Sequence, residues 1–472
     1  MKRRILALAL CAGLLSAPAL AAEEAAPQPQ AIAPWAYDAM AEAVALGMWD
    51  DSYYYCIENE VTDEQLDKLC AAVADKLALL GMPENTENAG PAVGVIDHTR
   101  GGVVNALYKE LSTYHPDFLT WSSTPESVLS DMLQEMGQQP VIQGDETGDY
   151  HLDRVCTLQE AIVMSQRLVL SLYDYYGAGS QGLLWKAEGN GNTLYLLGTI
   201  HVDRGNVYPF AKQLRDIIAA SDDAAFEVDF DDTTDTQAAV ALQMYSDGTT
   251  LKDHISPALY EEVSTVLTGL GMTQDQVDIL RAWVLGSSLS QMGLMDTSSG
   301  DVPLALDQYI HAKARNNGAT IGAVESMTYQ IEHVFNTLSD EYQEAYLQAG
   351  LDLYRAGTAG GDDTAGSLEQ IDAMLTAWKV RDVAGFETSY HKDAILNSDD
   401  ELNVKLFTQR DPNMIAYADS YLKADGPHTG ILVVGAGHMV GGTGVVQGLK
   451  DLGYTVEVVP VESGVGKLPS GT

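Results

Sequence analysis

Hydrophobic and polar positions alternate in two different ways along this chain. Between residues 34 and 180 the apolar residues recur at helical spacing, as in "PWAYDAMAEAVALGMW" and "CTLQEAIVMSQRLVLSLYDYYG". Thr62, Thr99 and Thr157 each precede an amphipathic stretch. A Gln or Glu follows the first and the third by three residues, which is the pattern of a capping box. We therefore predict a mostly helical N-terminal region with a degenerate repeat of three helices opened by threonine.

The pattern changes at about residue 181, where short apolar runs bounded by glycine and asparagine begin. "LLWKAEGNGNTLYLLGTIHV" predicts two strands joined by a Gly-Asn turn, and "DDAAFEVDF" and "ATIGAVES" predict two shorter strands. Amphipathic helices fill the middle, and the chain returns to strand, helix and strand with "GILVVGAGHMVGGTGVVQGLKDLGYTVEVVPV". We predict an α/β domain whose sheet comes from two strand–Gly-x-x-His–helix–strand units with a large helical insertion, preceded by a mostly helical N-terminal domain.

The amino terminus has the three parts of a secretory signal peptide: a basic end, an apolar stretch at 5–15 and the small-residue sequence "ALA" at 19–21. The apolar stretch is too short for a good membrane span. We therefore expect an exported protein, secreted or extracytoplasmic, with no transmembrane segment in the mature chain. The predicted divisions are a signal peptide at 1–22, a linker at 23–33, the helical region at 34–180, the α/β domain at 181–463 and a tail at 464–472.

Charge and cysteine content exclude some functions. The 472 residues include 67 Asp plus Glu against 26 Lys plus Arg, a formal charge of -41. This charge repels phosphate backbones and argues against nucleic-acid binding. Three cysteines follow the signal peptide, Cys56, Cys70 and Cys156, of which the first two are the nearest pair. Their odd number argues against a disulfide framework, and the absence of C-x-x-C argues against a cysteine-based zinc site.

Two predicted strands end in the same motif, Gly-x-x-His. The first strand is expected to stop at Gly198, three residues before His201, and the last unit repeats this with Gly435 and His438. The carboxyl ends of parallel strands are where such sheets place ligands, and glycine there allows a close backbone approach or a sharp turn. We therefore predict that His201 and His438 face each other across one site.

A carboxylate near the end of the strand "DDAAFEVDF", Glu227 with Asp229 as its rival, is a candidate to join these histidines. Two imidazoles and a carboxylate suit a divalent metal ion such as Mn²⁺, Co²⁺ or Zn²⁺ with an open position for water. Without a metal, the glutamate and one histidine would activate water and the other histidine would act as the acid. Both schemes hydrolyse an amide or ester. No H-E-x-x-H occurs, so a zinc site of that helical type is excluded.

The segments that contain these motifs resemble the TraB/GumN family. "LLWKAEGNGNTLYLLGTIHV" and "ILVVGAGHMVGGTGVVQGLKDLGYTVEVV" look like its first and last signatures, and the resemblance covers about residues 181–460. The family includes the Tiki-type proteins, described as metalloproteases, and is related to erythromycin esterases and the haem-binding ChaN proteins. The resemblance implies a metal-dependent hydrolase acting on a peptide or a small amide or ester.

Shorter motifs follow in the order that the family shows: "FEVDF", "RAW", "LALDQYIHAKARNNG", "AVESMTYQ" and "QRDPNM", the last read as a turn. Ala305 replaces the glycine of the family's Gly-x-Asp helix. The resemblance carries over Glu227, Trp283, Asp307, Glu325, Gln330, Arg410 and Asn413. From it we assign catalytic roles to His201, Glu227, His438, Glu325 and Arg410, substrate binding to Gly198, Gly435, Asp307 and Asn413, and a metal site to His201, Glu227 and His438.

Structural alternatives exist for several of these residues. A strand-end histidine taken alone would be structural, and Glu227 would be a solvated charge at the end of its strand. Glu325 would brace a helix N-terminus, and Arg410 would hold a turn through a salt bridge. The remaining histidines outside any motif are expected to be surface or packing residues: His254, His311, His333, His391 and His428. In "VVGAGHMVGG" the third glycine comes one residue too late for the G-x-G-x-x-G motif of dinucleotide-binding proteins. We therefore reject dinucleotide binding at this segment.

Two further questions concern the whole chain. The N-terminal region resembles S-layer homology modules, which implies attachment to cell-wall polysaccharide; a helical spacer without a binding function is the alternative. The α/β domain has a non-catalytic alternative too, an extracellular protein that captures a peptide signal or haem through the same histidines and is anchored to the cell wall. A third hypothesis makes wall anchoring the main task and the α/β domain degenerate.

Overall fold

Six strands form one mixed sheet at the centre of the α/β part. The computed structural model describes residues 29–117, 124–200, 207–294, 305–359 and 365–468. The strands are β1 (Leu183–Gly189), β2 (Asn192–Thr199), β3 (Asp223–Phe226), β4 (Thr320–Ala323), β5 (Thr429–Gly435) and β6 (Thr455–Val458). Their order across the sheet is β4-β3-β5-β2-β1-β6. The predicted α/β fold class is therefore confirmed.

The predicted hairpin is present, but its turn is Asn190-Gly191 and not Gly-Asn, and β2 ends one residue later than predicted. Asn190 and Gly191 both have positive φ, which is the conformation of a tight two-residue hairpin turn. At its other end β2 does not stop at Gly198 but includes Thr199, because these two residues pair with Val434 and Gly435 of β5. Pairing with β5 therefore keeps the backbone extended for one residue beyond Gly198, where the strand was predicted to end.

The two strand–helix–strand units interleave instead of lying side by side. β5 lies between β2 and β3 and is parallel to both, and β4 extends the parallel set beyond β3. β6 pairs with β1 on the other edge, antiparallel to it. The carboxyl ends of β2, β5 and β3 therefore lie next to one another, where ligand sites of parallel sheets form.

Helices cover this sheet and build the N-terminal region. In the N-terminal region they are Pro34–Ala36, Tyr37–Ala45, Asp51–Tyr55, Asp63–Ala78, Arg100–Ser112, Pro125–Ser127, Val128–Met132, Leu133–Glu135 and Leu158–Tyr176. Between β2 and β4 they are Lys212–Ala220, Thr233–Leu242, Leu251–His254, Pro257–Gly269, Gln274–Ile279, Ala282–Leu294 and Leu306–Asn316. After β4 they are Met327–His333, Phe335–Thr337, Asp340–Ala359, Ala365–Lys379, Val383–Tyr390, Lys392–Leu396, Glu401–Lys423, Ala436–Met439 and Val445–Asp451.

The three threonine caps are confirmed. Thr62 and Thr157 form full capping boxes, and Thr99 accepts a hydrogen bond from the Gly102 amide. In the capping box of Thr157, Glu160 accepts hydrogen bonds from the Thr157 amide at 3.1 Å and from Arg100 Nη1 at 2.9 Å, and it also pairs with Arg154. Burial raises the pKa of Glu160, but these hydrogen bonds and charges outweigh burial and lower its pKa below the ordinary value.

A buried ionic contact joins the N-terminal helices to the α/β part. Lys313 Nζ lies 2.9 Å from Glu42 Oε1 and 3.0 Å from Asp38 Oδ1, and Tyr309 donates to the same Glu42 oxygen at 2.7 Å. Buried apolar residues of both regions belong to one continuous cluster. Charges this deeply buried need partners, so the two regions depend on each other for stability.

Two long helices contact each other through glycines. A Cβ added to Gly350 of helix Asp340–Ala359 would lie 2.4 Å from the carbonyl oxygen of Gly286 in helix Ala282–Leu294. One heptad further on, a Cβ at Gly357 would lie 2.3 Å from the oxygen of Gly293. No side chain fits at these positions, so the backbones themselves are in contact.

Three local predictions meet a different or more specific outcome. The "QRDPNM" segment is not a turn, because it lies inside helix Glu401–Lys423, which continues through Pro412. In the predicted tail, the Gly466 amide donates to the Tyr175 carbonyl at 2.9 Å. Cys56, Cys70 and Cys156 are free thiols, and among the described residues every helix is too short or too polar to span a bilayer.

Candidate functional site

Glu227 is the first residue after β3, and its side chain points into the interior. Its Oε1 atom accepts a hydrogen bond of 2.7 Å from the backbone amide of Gly435, at the end of β5. Its own carbonyl accepts from the Glu325 amide at 3.0 Å, which extends the β3–β4 pairing. Adjacent parallel strands thus fix this carboxylate at the carboxyl edge of the sheet. The rival carboxylate, Asp229, does not take part in these contacts. Its Oδ1 atom accepts a hydrogen bond of 2.8 Å from the Asp231 amide.

Arg410 joins two of the predicted carboxylates. Its Nη2 atom lies 2.5 Å from Glu227 Oε2, and its Nε atom lies 2.8 Å from Glu325 Oε2. The Arg410 side chain is 2 % exposed. Burial lowers the pKa of Arg410, but the charges of both glutamates outweigh burial and raise it, so the guanidinium stays protonated. Glu325 therefore binds an arginine and does not brace a helix N-terminus.

His438 lies in the short helix after β5 and is completely buried. Its Nδ1 atom is 2.7 Å from Asp411 Oδ1, and its Nε2 atom is 3.4 Å from Arg410 Nη1. Because a buried carboxylate beside a lysine accepts and does not donate, we assign the proton to Nδ1. Nε2 then carries the lone pair, directed at the Arg410 guanidinium. A carboxylate that orients a histidine in this way is the arrangement of a general base and its positioning residue.

Asp411 is itself held by two further groups. Its Oδ2 atom is 2.7 Å from Lys392 Nζ and 3.0 Å from Thr443 Oγ1. Asp411 and Lys392 have side chains that are each 2 % exposed, so their charges compensate each other inside the protein. None of Asp411, Lys392 and Thr443 was predicted from the sequence. A signal for Asp411 existed, because Arg410 and Asp411 share the buried face of their helix with Phe407 and Met414.

The other predicted residues lie around this core. Asn413 Nδ2 donates to Glu325 Oε1 at 3.1 Å and to the Tyr329 hydroxyl at 3.2 Å. Asp307 accepts from Thr199 Oγ1 at 3.1 Å, at the end of β2. Gly198 permits a close contact, since a Cβ there would lie 2.9 Å from the Cα atom of Ala436. Ala436 belongs to the short helix that carries His438. A glycine at position 198 therefore allows β2 to pack closely against that helix.

The metal prediction concerns His201, Glu227 and His438. His201 lies outside the described residues. Both carboxylate oxygens of Glu227 already accept hydrogen bonds, and the Nε2 atom of His438 faces the Arg410 cation. A metal ion between the two described ligands would meet a guanidinium charge. The described contacts therefore do not fit an ion while Arg410 stays in place.

Comparison with known proteins gives one result. The family model of the TraB/PrgY/gumN family matches residues 183–458, which is more than half of the chain and includes all six strands. No curated protein and no solved structure matches the chain.

Proposed function

The chain belongs to the TraB/PrgY/gumN family, and from its buried site we propose that the α/β part is a hydrolase that cleaves an amide or ester bond in a peptide or small molecule. One observation carries the proposal. Arg410 connects Glu227, Glu325 and His438 at the edge of the sheet where parallel strands end, and Asp411 orients the histidine. A buried base, an orienting carboxylate and a fixed cation are the groups that acyl transfer requires.

Each residue has a distinct role in this proposal. His438 takes the proton of the attacking water at Nε2, a contribution of about 10²–10⁴ in rate. Asp411 holds the ring and stabilises the imidazolium that forms. Arg410 stabilises the negative charge that develops on the carbonyl oxygen, and Glu227 and Glu325 keep its guanidinium in place. His201 is the proposed acid. Because His438 is completely buried and its Nε2 atom faces Arg410 Nη1, binding of substrate and water requires movement of the groups that cover the histidine, including that end of the Arg410 guanidinium.

A divalent ion is the alternative form of the same hydrolase. Mn²⁺, Co²⁺ or Zn²⁺ held by His201, Glu227 and His438 would supply a water of lowered pKa. We favour the metal-free form, because the ion would have to displace Arg410 from Glu227. We further propose that the protein is exported and that residues 34–180 bind cell-wall polysaccharide. These two points rest on the sequence of the amino terminus and on the threonine-capped helices.

The test is peptide-library cleavage by the mature chain, read by mass spectrometry, with and without a chelator. We expect cleavage that is insensitive to the chelator and lost in His438→Ala. His428→Ala is the matched control, because His428 is exposed and outside the cluster. Cleavage abolished by the chelator would support the metal-dependent form instead.

Absence of any cleavage by the folded parent, over a pH range of about 5 to 9, would overturn the hydrolase proposal. The non-catalytic alternative is then tested by titration with haem. A Soret shift that disappears in His438→Ala would assign the histidine to ligand capture. The same titration with no shift would leave peptide capture, which calorimetry with the uncleaved library peptides would measure.

A further inference from the structure

A second cluster of metal-ligating side chains lies outside the site described above. His311, in helix Leu306–Asn316, meets Asp229 and Asp231 of the segment after β3. One ligand atom from each of the three side chains lies within 4.8 Å of the other two. Within the described part of the chain this is the one group of His, Cys, Asp or Glu residues with such geometry.

The His311 ring is fixed in position by aromatic neighbours. The centroids of Phe226 and Phe230 lie 5.3 and 5.5 Å from the His311 ring, the second at an interplanar angle of 89°. The side chain is 8 % exposed. Two aromatic contacts therefore hold the imidazole at one orientation, with Nε2 on the side of Asp231.

The Nε2 atom of His311 is buried and has no hydrogen-bond partner among the described residues. The Asp231 Oδ2 atom lies 3.6 Å from His311 Nε2, too far for a hydrogen bond. Buried polar atoms are nearly always paired, so an unpaired ring nitrogen in a cluster with two carboxylates indicates a missing partner.

The aspartates already attract a cation. Arg315 Nη1 lies 2.9 and 3.0 Å from the two carboxylate oxygens of Asp231. The Arg315 side chain is 60 % exposed, so this ion pair is weak and its arginine can swing into solvent.

We propose that Asp229, Asp231 and His311 bind a divalent transition-metal ion, with Zn²⁺ or Mn²⁺ as the expected class. One imidazole and two carboxylates are a ligand set that such ions accept, with water completing the coordination. Modest movement of the half-buried Asp229 and the exposed Asp231 would bring the donor atoms to coordination distance. The ion would link helix Leu306–Asn316 to the segment after β3. Its ligand Asp229 lies two residues after Glu227 in that segment.

Calorimetry of the mature chain with Zn²⁺, Mn²⁺ and Ca²⁺ tests this site. We expect about one Zn²⁺ or Mn²⁺ ion per chain and much weaker Ca²⁺ binding, because calcium prefers oxygen ligands alone. His311→Ala should weaken Zn²⁺ binding by at least about tenfold. Arg315→Gln should strengthen it by up to about fivefold, because the competing cation is removed. Circular dichroism confirms folding of each variant.

Two controls separate this site from its alternatives. His98 also contacts two carboxylates, Glu60 and Asp63, but both of its ring nitrogens are hydrogen-bonded, so His98→Ala should leave Zn²⁺ binding unchanged. His438→Ala should also retain it. The proposal is overturned if the parent binds neither Zn²⁺ nor Mn²⁺, if folded His311→Ala binds as the parent does, or if Arg315→Gln binds more weakly. Loss in His438→Ala with full binding by His311→Ala would likewise overturn it and place the ion at the proposed active site.

Discussion

Replacement of Arg410 by methionine tests the energetic basis of the site. The change removes the cation between Glu227 and Glu325 and leaves both carboxylates buried. Breaking one buried ion pair by removing one partner costs about 3–5 kcal/mol. Arg410 serves two carboxylates, so we expect a loss of at least about 5 kcal/mol. Since whole domains are stable by about 5–15 kcal/mol, Arg410→Met should be barely folded or unfolded at 25 °C.

Urea unfolding followed by circular dichroism measures this loss as a shift of the transition midpoint. Arg315→Met is the matched control, because it breaks an exposed arginine–aspartate pair and should cost no more than about 1 kcal/mol. Adding Glu227→Gln and Glu325→Gln to Arg410→Met should restore part of the stability, since the buried charges then disappear together. A loss of less than about 1 kcal/mol in Arg410→Met would refute the reasoning.

Two further predictions concern packing and pH. Gly350→Ala places a methyl group 2.4 Å from the Gly286 oxygen and should cost about 1–3 kcal/mol in urea unfolding. Gly269→Ala, at a helical glycine with open space around it, should be neutral or stabilising; equal effects of both changes would contradict the close contact. Glu160→Gln should cost about 1–3 kcal/mol at pH 7. Because the folded pKa of Glu160 is lowered, its stabilisation is present above the ordinary value of 4.5 and is lost as pH falls through the lowered pKa. The difference between Glu160→Gln and the parent should therefore vanish in acid, and a pH-independent difference would contradict this explanation.

Local features of the fold could be predicted from the sequence because local rules decide them. The β1–β2 hairpin follows from alternating apolar residues around a turn with positive φ, and the helices after Thr62 and Thr157 follow from capping boxes. The position of β5 between β2 and β3 could not be predicted in this way. It depends on pairing between strands that are more than 200 residues apart.

The site was predicted in part. The family resemblance singled out Glu227, Glu325, Arg410 and His438, and the structure brings these four together. The resemblance implied a turn at "QRDPNM", but the segment is helical and includes Pro412. Proline lacks an amide hydrogen, but buried residues on both sides, such as Phe407 and Met414, carry the helix through it. The partnership of Asp411 with His438 depends on two elements meeting in space, which spacing along the chain does not encode.

The most direct test of the proposed hydrolase compares the rates at which the parent and Asp411→Asn cleave the best library peptide as a function of pH. The substituted amide would keep the shape of the side chain but could donate a hydrogen bond to the His438 ring, which favours the wrong tautomer. We predict a fall in kcat of at least about 10²-fold with KM little changed and a shifted pH profile, in a variant that circular dichroism shows to be folded. A folded Asp411→Asn variant with the kcat and pH profile of the parent would contradict the account.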